Sequence, residues 1–167
     1  MDLVNTSFTN KNTDAVIGKY INLMSEPMHA YRKRFFGSED IDSFMAAVAD
    51  IKIFLDNRRP YILEYLKEDL GLTGNLATVE LEINDASAGR ILLNTIEPSL
   101  CVNGKWEGEY YTDFPITLTA VANDGYKFVE WEISRSQQKE IIKDETINVY
   151  LSENGNMIKA IYERTGR

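Results

Sequence analysis

The spacing of apolar residues changes once along this chain, and that change limits the folds it can adopt. Up to about residue 72, apolar side chains recur every three or four positions, as on one face of an α-helix. From Thr73 onward they alternate with polar ones, as in Val79–Ile83. We therefore predict an α+β protein, with a small helical bundle over residues 1–72 and a compact, mostly antiparallel β module over residues 73–167.

About four helices are expected in the first domain. Asp14 is a candidate N-cap, and Ser25-Glu26-Pro27 is expected to start a second helix, because proline is favoured in a first turn. Gly37 is expected to end that helix, and Ser38 to begin the longest one. Pro60 is expected to kink or restart this helix, because an interior proline removes a backbone donor. The predicted inward-facing residues are Ile17, Tyr20, Ile21, Met24, Met28, Tyr31, Phe35, Ile41, Phe44, Met45, Val48, Ile51, Leu55, Tyr61, Ile62, Tyr65, Leu66 and Leu70.

The β domain is expected to hold six or seven strands. Its clearest signal is Pro115–Trp131, in which two alternating runs flank the turn Asn123–Gly125. An Asp-Gly pair supplies the positive φ of a tight turn, so the segment predicts a β-hairpin. Strict alternation places Phe128 and Trp131 on opposite faces of the second strand, and both are core candidates.

Charge and hydropathy exclude several classes of partner. The chain has 18 basic and 26 acidic side chains and a net charge of −8, with most of the excess acid in the second domain. A negative surface repels phosphate backbones, so no nucleic acid partner is expected. The sequence has no apolar run near the roughly 20 residues that span a bilayer, and its start does not have the pattern of a signal peptide. We expect no membrane insertion.

The sequence has no recognisable catalytic or metal-binding motif. His29 is the only histidine and Cys101 the only cysteine. Nucleophilic catalysis needs a base and a group that orients it, so His29 is expected to be a surface or packing residue and Cys101 a small buried hydrophobe. Zinc-type clusters, EF-hand spacing and phosphate-binding glycine loops are also missing from the sequence. We expect no catalytic residue and no cofactor in this segment.

Three aromatic residues form the candidate interaction surface: Trp106, Tyr110 and Tyr111. They lie in the glycine-containing, acid-rich segment Gly104–Asp113. Exposed aromatics beside carboxylates could bind sugar rings or a protein partner. The alternative is core packing, because aromatics supply much of the buried area in a small module.

Motifs in the helical domain resemble the end of the spore coat protein H (CotH) kinase-like domain. The sequence Phe54-Leu-Asp-Asn-Arg-Arg-Pro-Tyr-Ile62 is similar to a Phe-x-x-x-Arg-Pro-x-x-Ile helix of that family, with one extra arginine. Met28–Phe35 resembles a segment ending in Arg-Trp, with phenylalanine in place of tryptophan. The resemblance covers residues 14–72. It implies the tail of an atypical, ATP- and metal-dependent protein kinase, none of whose catalytic residues can be assigned to this chain.

The β domain resembles the divergent internalin-type B repeat of bacterial surface proteins. The matching elements are Gly89 with its following strand, Pro115–Ala120, the Gly-Tyr-x-Phe-x-x-Trp run over 125–131, and Ile158-Lys-Ala-x-Tyr162. The two resemblances together imply a non-catalytic C-terminal portion of a CotH-like protein on a spore coat or cell surface. Its expected partners are other coat or surface proteins, or a glycan. A carbohydrate-binding module and a structural spacer are the alternatives.

Overall fold

The computed structural model describes residues 1–100, 104–135 and 138–166. The chain divides into two compact units. The helical unit is Leu3–Leu70, and the β unit consists of Met1–Asp2 together with Gly71–Arg167. Helices followed by a mostly antiparallel β module confirm the predicted α+β class. Cys101 lies outside the described residues.

Three helices, only two of them long, replace the four expected. They are α1 (Asp2–Asn5), α2 (Asn10–Phe36) and α3 (Asp42–Asp69). Pro27 lies inside α2 and Pro60 inside α3, so the prediction of a restart at each proline is wrong. Each proline removes one N–H from the hydrogen-bond ladder, and the other turns of a long helix hold it together.

The ends of α2 and the start of α3 differ partly from the prediction. Thr9, and not Asp14, caps α2, and its Oγ1 accepts the Asn12 backbone N–H at 3.3 Å. The predicted stop at Gly37 is confirmed, because this residue has a φ of 70° and donates its N–H to the Lys33 carbonyl. The longest helix begins at Asp42 instead of Ser38.

The connector between the long helices, residues 37–41, runs back along the last turns of α2. Arg32 Nε donates to the Asp40 carbonyl at 3.0 Å, and His29 Nδ1 lies within hydrogen-bond distance of the Glu39 carbonyl. Further along, Lys52 Nζ of α3 meets Asp14 Oδ1 of α2 at 2.6 Å. The two helices therefore run antiparallel, and His29 is a surface residue, as predicted.

The helical unit buries very little of its apolar surface. Within α2 and α3, which are fully described, no residue is buried. One stripe of α3 that includes Phe44, Val48, Leu55 and Ile62 is half-buried. A two-helix hairpin has only one line of contact, so it can cover only one stripe on each helix. The inward-facing prediction is wrong for a set of residues that remain exposed: Tyr20, Met24, Tyr31, Phe35, Met45, Ile51, Tyr61, Tyr65 and Leu70.

The β unit has eight strands among its described residues. They are β1 (Leu76–Ile83), β2 (Gly89–Leu93), β3 (Lys105–Tyr111), β4 (Ile116–Ala122), β5 (Tyr126–Arg135), β6 (Gln138–Ile142), β7 (Thr146–Val149) and β8 (Asn156–Arg164). One sheet has the order β3-β1-β8-β5-β6 and the other β2-β4-β7. Among the strands that the structure describes, all pairings are antiparallel except that of β1 with β8.

The predicted hairpin at Pro115–Trp131 is wrong, although both of its strands and its turn are present. Strand β4 pairs with β2 and β7, whereas β5 pairs with β6 and β8. The turn around Gly125, whose φ is 83°, therefore links two different sheets. The alternation specifies which face of each strand is buried, and strand partners are chosen by contacts far along the chain.

A β-bulge in β5 corrects the predicted alternation of this strand. The register with β8 shifts between Phe128 and Glu130. The bulge brings the rings of Phe128 and Trp131 together, with centroids 5.4 Å apart, where strict alternation had separated them. The prediction of a core residue is confirmed for Trp131, whereas Phe128 is half-buried and packs against the core.

Buried side chains from both sheets form one hydrophobic cluster. Trp131, Leu81, Ile91, Leu118 and Ile158 are among its fully buried members. Tyr162 also belongs to this cluster, and its hydroxyl donates to the Arg90 carbonyl at 2.9 Å. Burial raises the pKa of Tyr162 to about 12, so the phenol stays neutral and acts as a packing group.

Candidate functional site

The three candidate aromatics lie on β3, an edge strand of the five-stranded sheet. In the register of β3 with β1, Trp106 lies opposite Leu81 and Tyr110 opposite Ala77. Directly opposite residues share a face of the sheet, so Trp106 and Tyr110 are on the face that carries the core. Tyr111 is on the other face, opposite Leu76. The structure therefore does not bring the three rings together on one platform.

Trp106 is the most accessible of the three, and a glycine positions it. Its half-buried indole packs against the edge of the core and lies over Gly108. A Cβ at position 108 would be only 2.1 Å from Trp106 Cη2. The indole can occupy this place only because residue 108 has no side chain.

Tyr110 is 4% exposed and is held by an acid from the start of the chain. Its hydroxyl donates to Asp2 Oδ1 at 2.9 Å, and Asp2 also accepts hydrogen bonds from the Thr95 and Asn94 side chains. Burial alone would raise the pKa of Asp2, but these hydrogen bonds outweigh it and lower the pKa below its ordinary value. Tyr110 thus contributes to packing and to the hydrogen bonds around Asp2, and little of its surface is left for a ligand.

Tyr111 is also buried, at 8% exposure. Burial, reinforced by the negative charge of Asp113, raises the pKa of its phenol. Asp113 itself accepts the backbone N–H groups of Gly74 and Thr73, both at 2.9 Å, which lowers the pKa of its carboxyl. This contact fixes the chain just before β1 to the end of β3.

Beside Trp106, the outer face of the sheet is a shallow charged surface. A depression of about 290 Å³ is lined by Glu80, Lys105, Trp106 and Glu107. Lys105 Nζ donates a hydrogen bond to the Glu82 carboxylate, and this bond raises the pKa of the lysine. Glu80 and Glu107 lie directly opposite each other in the register. Such a surface is suited to non-covalent contacts with polar or basic groups of a partner.

The described residues contain neither a cluster that could hold a metal ion nor a helix that could span a membrane. Across residues 1–100, 104–135 and 138–166, no three His, Cys, Asp or Glu side chains are grouped so that they could hold a metal ion. Among the same residues, neither α2 nor α3 is apolar enough over its length to cross a bilayer.

A second surface, on α3, was missed by the sequence analysis. Tyr61 and Tyr65 were expected to face inward, yet they are 52% and 49% exposed. Together with Phe54 and Arg58 they line a groove of about 260 Å³. The three- and four-residue spacing of these four residues indicates an apolar stripe on α3. The sequence of a helix with two such stripes does not show which one the neighbouring helix covers.

A comparison with known protein families gives a match for part of the β unit. Residues 101–166 match the family model of the divergent InlB B-repeat domain. Neither the curated proteins nor the solved structures include a match to this chain. The match supports the B-repeat resemblance of the β unit, and such domains are modules associated with the cell surface or cell wall.

The glycine under Trp106 gives a direct test of the indole's position. In Gly108→Ala the added methyl group would overlap the ring, so we expect the indole to swing outward at a cost below about 1 kcal/mol. Iodide quenching of tryptophan fluorescence should then increase, because Trp131 stays buried while Trp106 becomes more accessible. Gly18→Ala is the control, since a Cβ at Gly18 has no atom within 4 Å. Unchanged quenching in Gly108→Ala would contradict the proposed packing.

Proposed function

We propose that this chain is a non-catalytic portion of a CotH-like protein of the spore coat or cell surface, and that it acts by binding other surface proteins. The observation that carries the surface-module part of the proposal is the match of residues 101–166 to the divergent InlB B-repeat domain, which covers β3 to β8. In this proposal the module supplies a surface for contacts with a partner.

The electrostatics of the β unit support a protein partner. Excess acid is concentrated beyond residue 72, and the outer surface next to Trp106 carries Glu80, Glu82 and Glu107 beside Lys105. A surface of this sign favours basic or mixed-charge protein surfaces and repels nucleic acid. Of the three aromatics, Trp106 alone keeps a partly exposed ring, so it is the residue through which β3 would contact a partner.

The CotH-like part of the proposal rests on the sequence motifs around Arg59-Pro60 and Met28–Phe35. In this proposal the helical segment packs against a kinase-like lobe. The exposed apolar side chains of α2, among them Tyr20, Leu23 and Phe35, support this role. A helix with such a surface normally contacts further protein.

Binding of the fluorescently labelled chain to intact bacterial cells and to spores tests the function. We expect binding that is lost when the surface is treated with protease and retained after mild periodate oxidation of its glycans. Loss after periodate alone, together with glycan-array binding that Trp106→Ala abolishes, would replace the proposal with a carbohydrate-binding function. Absence of binding to either surface would favour a structural spacer.

Two controls make this experiment specific. Trp106→Ala should weaken binding, whereas Ile141→Ala should not, because Ile141 is exposed on β6 at the opposite edge of the same sheet. The chain mixed with ATP, Mg²⁺ and casein should transfer no phosphate. Robust transfer would contradict the non-catalytic part of the proposal.

A further inference from the structure

A line of four exposed side chains, with a half-buried arginine among them, runs along α3. We name Ile51, Phe54, Arg58, Tyr61 and Tyr65 the aromatic stripe. They recur at alternating intervals of three and four residues, which is the spacing of a coiled-coil seam. Ile51 is 54% exposed and Phe54 60%, similar to the two tyrosines. Within the described part of the helical unit, the stripe is therefore an apolar seam that is largely open to solvent.

The aromatic stripe borders the face of α3 that meets α2, since Phe54 and Arg58 also line a cavity with Phe8 and Thr13. Leu55 and Ile62, on the covered stripe, are half-buried, while Phe54 and Tyr61 beside them are exposed. The Arg58 guanidinium carbon lies 5.7 Å from the ring centroids of both Phe54 and Tyr65. One cation between aromatic rings makes the seam complementary to a surface of the same composition, because cations and ring faces attract.

We propose that a second copy of this chain covers the aromatic stripe, with the two α3 helices antiparallel. The three- and four-residue intervals give the stripe two kinds of position in alternation. In an antiparallel seam, a position of one kind lies opposite a position of the other kind. One alignment places Phe54 opposite Tyr65 of the second copy, and Arg58 opposite Tyr61 of the second copy. Two-fold symmetry makes each of these layers twice. Arg58 then gains an aromatic face from the other copy in addition to those of its own helix.

The area of the stripe sets the expected strength of the dimer. Aromatic side chains bury about 150–250 Å² each, so Phe54, Tyr61 and Tyr65, each about half exposed, offer about 100 Å² apiece. With the Arg58 stem the interface reaches about 400 Å² per copy, or about 800 Å² in total, which is the size of a weak, transient contact. A weak dimer with a dissociation constant of about 100 μM is expected. The dimer is tested separately from the proposed surface binding, which is measured through Trp106 of the β unit.

Sedimentation velocity of the full chain between about 1 μM and about 500 μM tests the dimer. We expect the mass to rise from the 19.1 kDa monomer to twice that value with increasing concentration. Phe54→Glu and Tyr61→Glu should each weaken the dimer by about tenfold or more, because a charge would enter the seam. Circular dichroism should show unchanged helix content, since both positions are solvent-exposed and glutamate is a good helix former.

Phe35→Glu is the matched control, because Phe35 is a phenylalanine of α2 with 62% exposure against 60% for Phe54. It should leave the dissociation constant unchanged. A chain that remains monomeric at about 500 μM would overturn the dimer. An equal loss in Phe35→Glu and Phe54→Glu would overturn the assignment to the aromatic stripe.

Discussion

Replacing Trp131 with alanine is expected to lower the free energy of unfolding of the β unit by about 3–5 kcal/mol. Trp131 has 0% exposure and is the largest of the fully buried side chains. Its ring packs against Phe128, and it lies opposite Ala160 of β8. Truncation removes apolar contacts and leaves a cavity between close-packed neighbours, which can only partly collapse.

The indole N–H adds a polar component to this loss. Nε1 donates to the Asp144 carbonyl at 3.1 Å, in the segment between β6 and β7. In Trp131→Ala this carbonyl loses its donor, which water can replace only if it enters the cavity. The indole therefore ties the chain before β7 to the middle of β5, in addition to filling the core.

Urea unfolding followed by far-UV circular dichroism measures the effect, with Trp106→Ala as the matched control. Trp106 is half-buried at a sheet edge, so its truncation should cost clearly less, about 1–2 kcal/mol. A loss below about 1 kcal/mol in Trp131→Ala would show that the indole does not fill the core as described.

The features of the fold that could be predicted are those that local spacing determines. The buried alternation of Val79, Leu81 and Ile83, and that of Ile116, Leu118 and Ala120, follows from the two-residue period of a strand. The strands with which β4 and β5 pair could not be predicted in this way. Both strands have the right pattern for a hairpin, but their partners come from β2 and β8, far away in the sequence.

The helical domain shows why proline is an imperfect boundary signal. Pro27 and Pro60 suggest two extra helix starts, yet each lies inside one long helix. Propensity describes the local cost of a proline, and a helix of 27 or 28 residues has enough other hydrogen bonds to continue through it. The spacing of apolar residues similarly predicted too many buried side chains on the two long helices, because it does not give the number of helices that pack against them.

The candidate surface was predicted as a set of residue types, and its geometry depends on strand pairing. Trp106, Tyr110 and Tyr111 are similar in the sequence, but the register with β1 separates them. Tyr110 meets Asp2, more than one hundred residues away, which no local pattern indicates. That the remaining partly exposed ring, Trp106, binds a partner stays a prediction, which the binding experiment tests.

Asn156 has the second-largest expected effect, because it is a buried polar residue that holds three segments together. It is 3% exposed at the start of β8. Its Oδ1 accepts the Ser152 N–H at 2.8 Å, and its Nδ2 donates to the carbonyls of Thr78 and Ser152 at 2.9 and 2.7 Å. The sequence predicts only a turn here, because asparagine is frequent in turns.

We expect Asn156→Ala to lower the free energy of unfolding by about 2–3 kcal/mol, because the Thr78 carbonyl and both backbone groups of Ser152 lose their partner. Asn148→Ala is the control and should cost less than about 1 kcal/mol, since this asparagine is exposed and accepts one hydrogen bond from Thr117. Both values come from urea unfolding, and equal losses in the two variants would contradict the role of Asn156.

Asn156→Asp separates the hydrogen bonds of this side chain from its volume. Aspartate keeps the acceptor for Ser152 but turns the amide donor into an oxygen that faces the carbonyls of Thr78 and Ser152. Burial raises the pKa of a carboxyl in such a place, because the charged form is penalised. The variant should therefore be least stable near neutral pH and regain stability relative to the parent chain as the pH falls and the carboxyl becomes a donor. A stability difference that does not change with pH would show that the volume of the side chain, and not its hydrogen bonds, fixes this corner of the β unit.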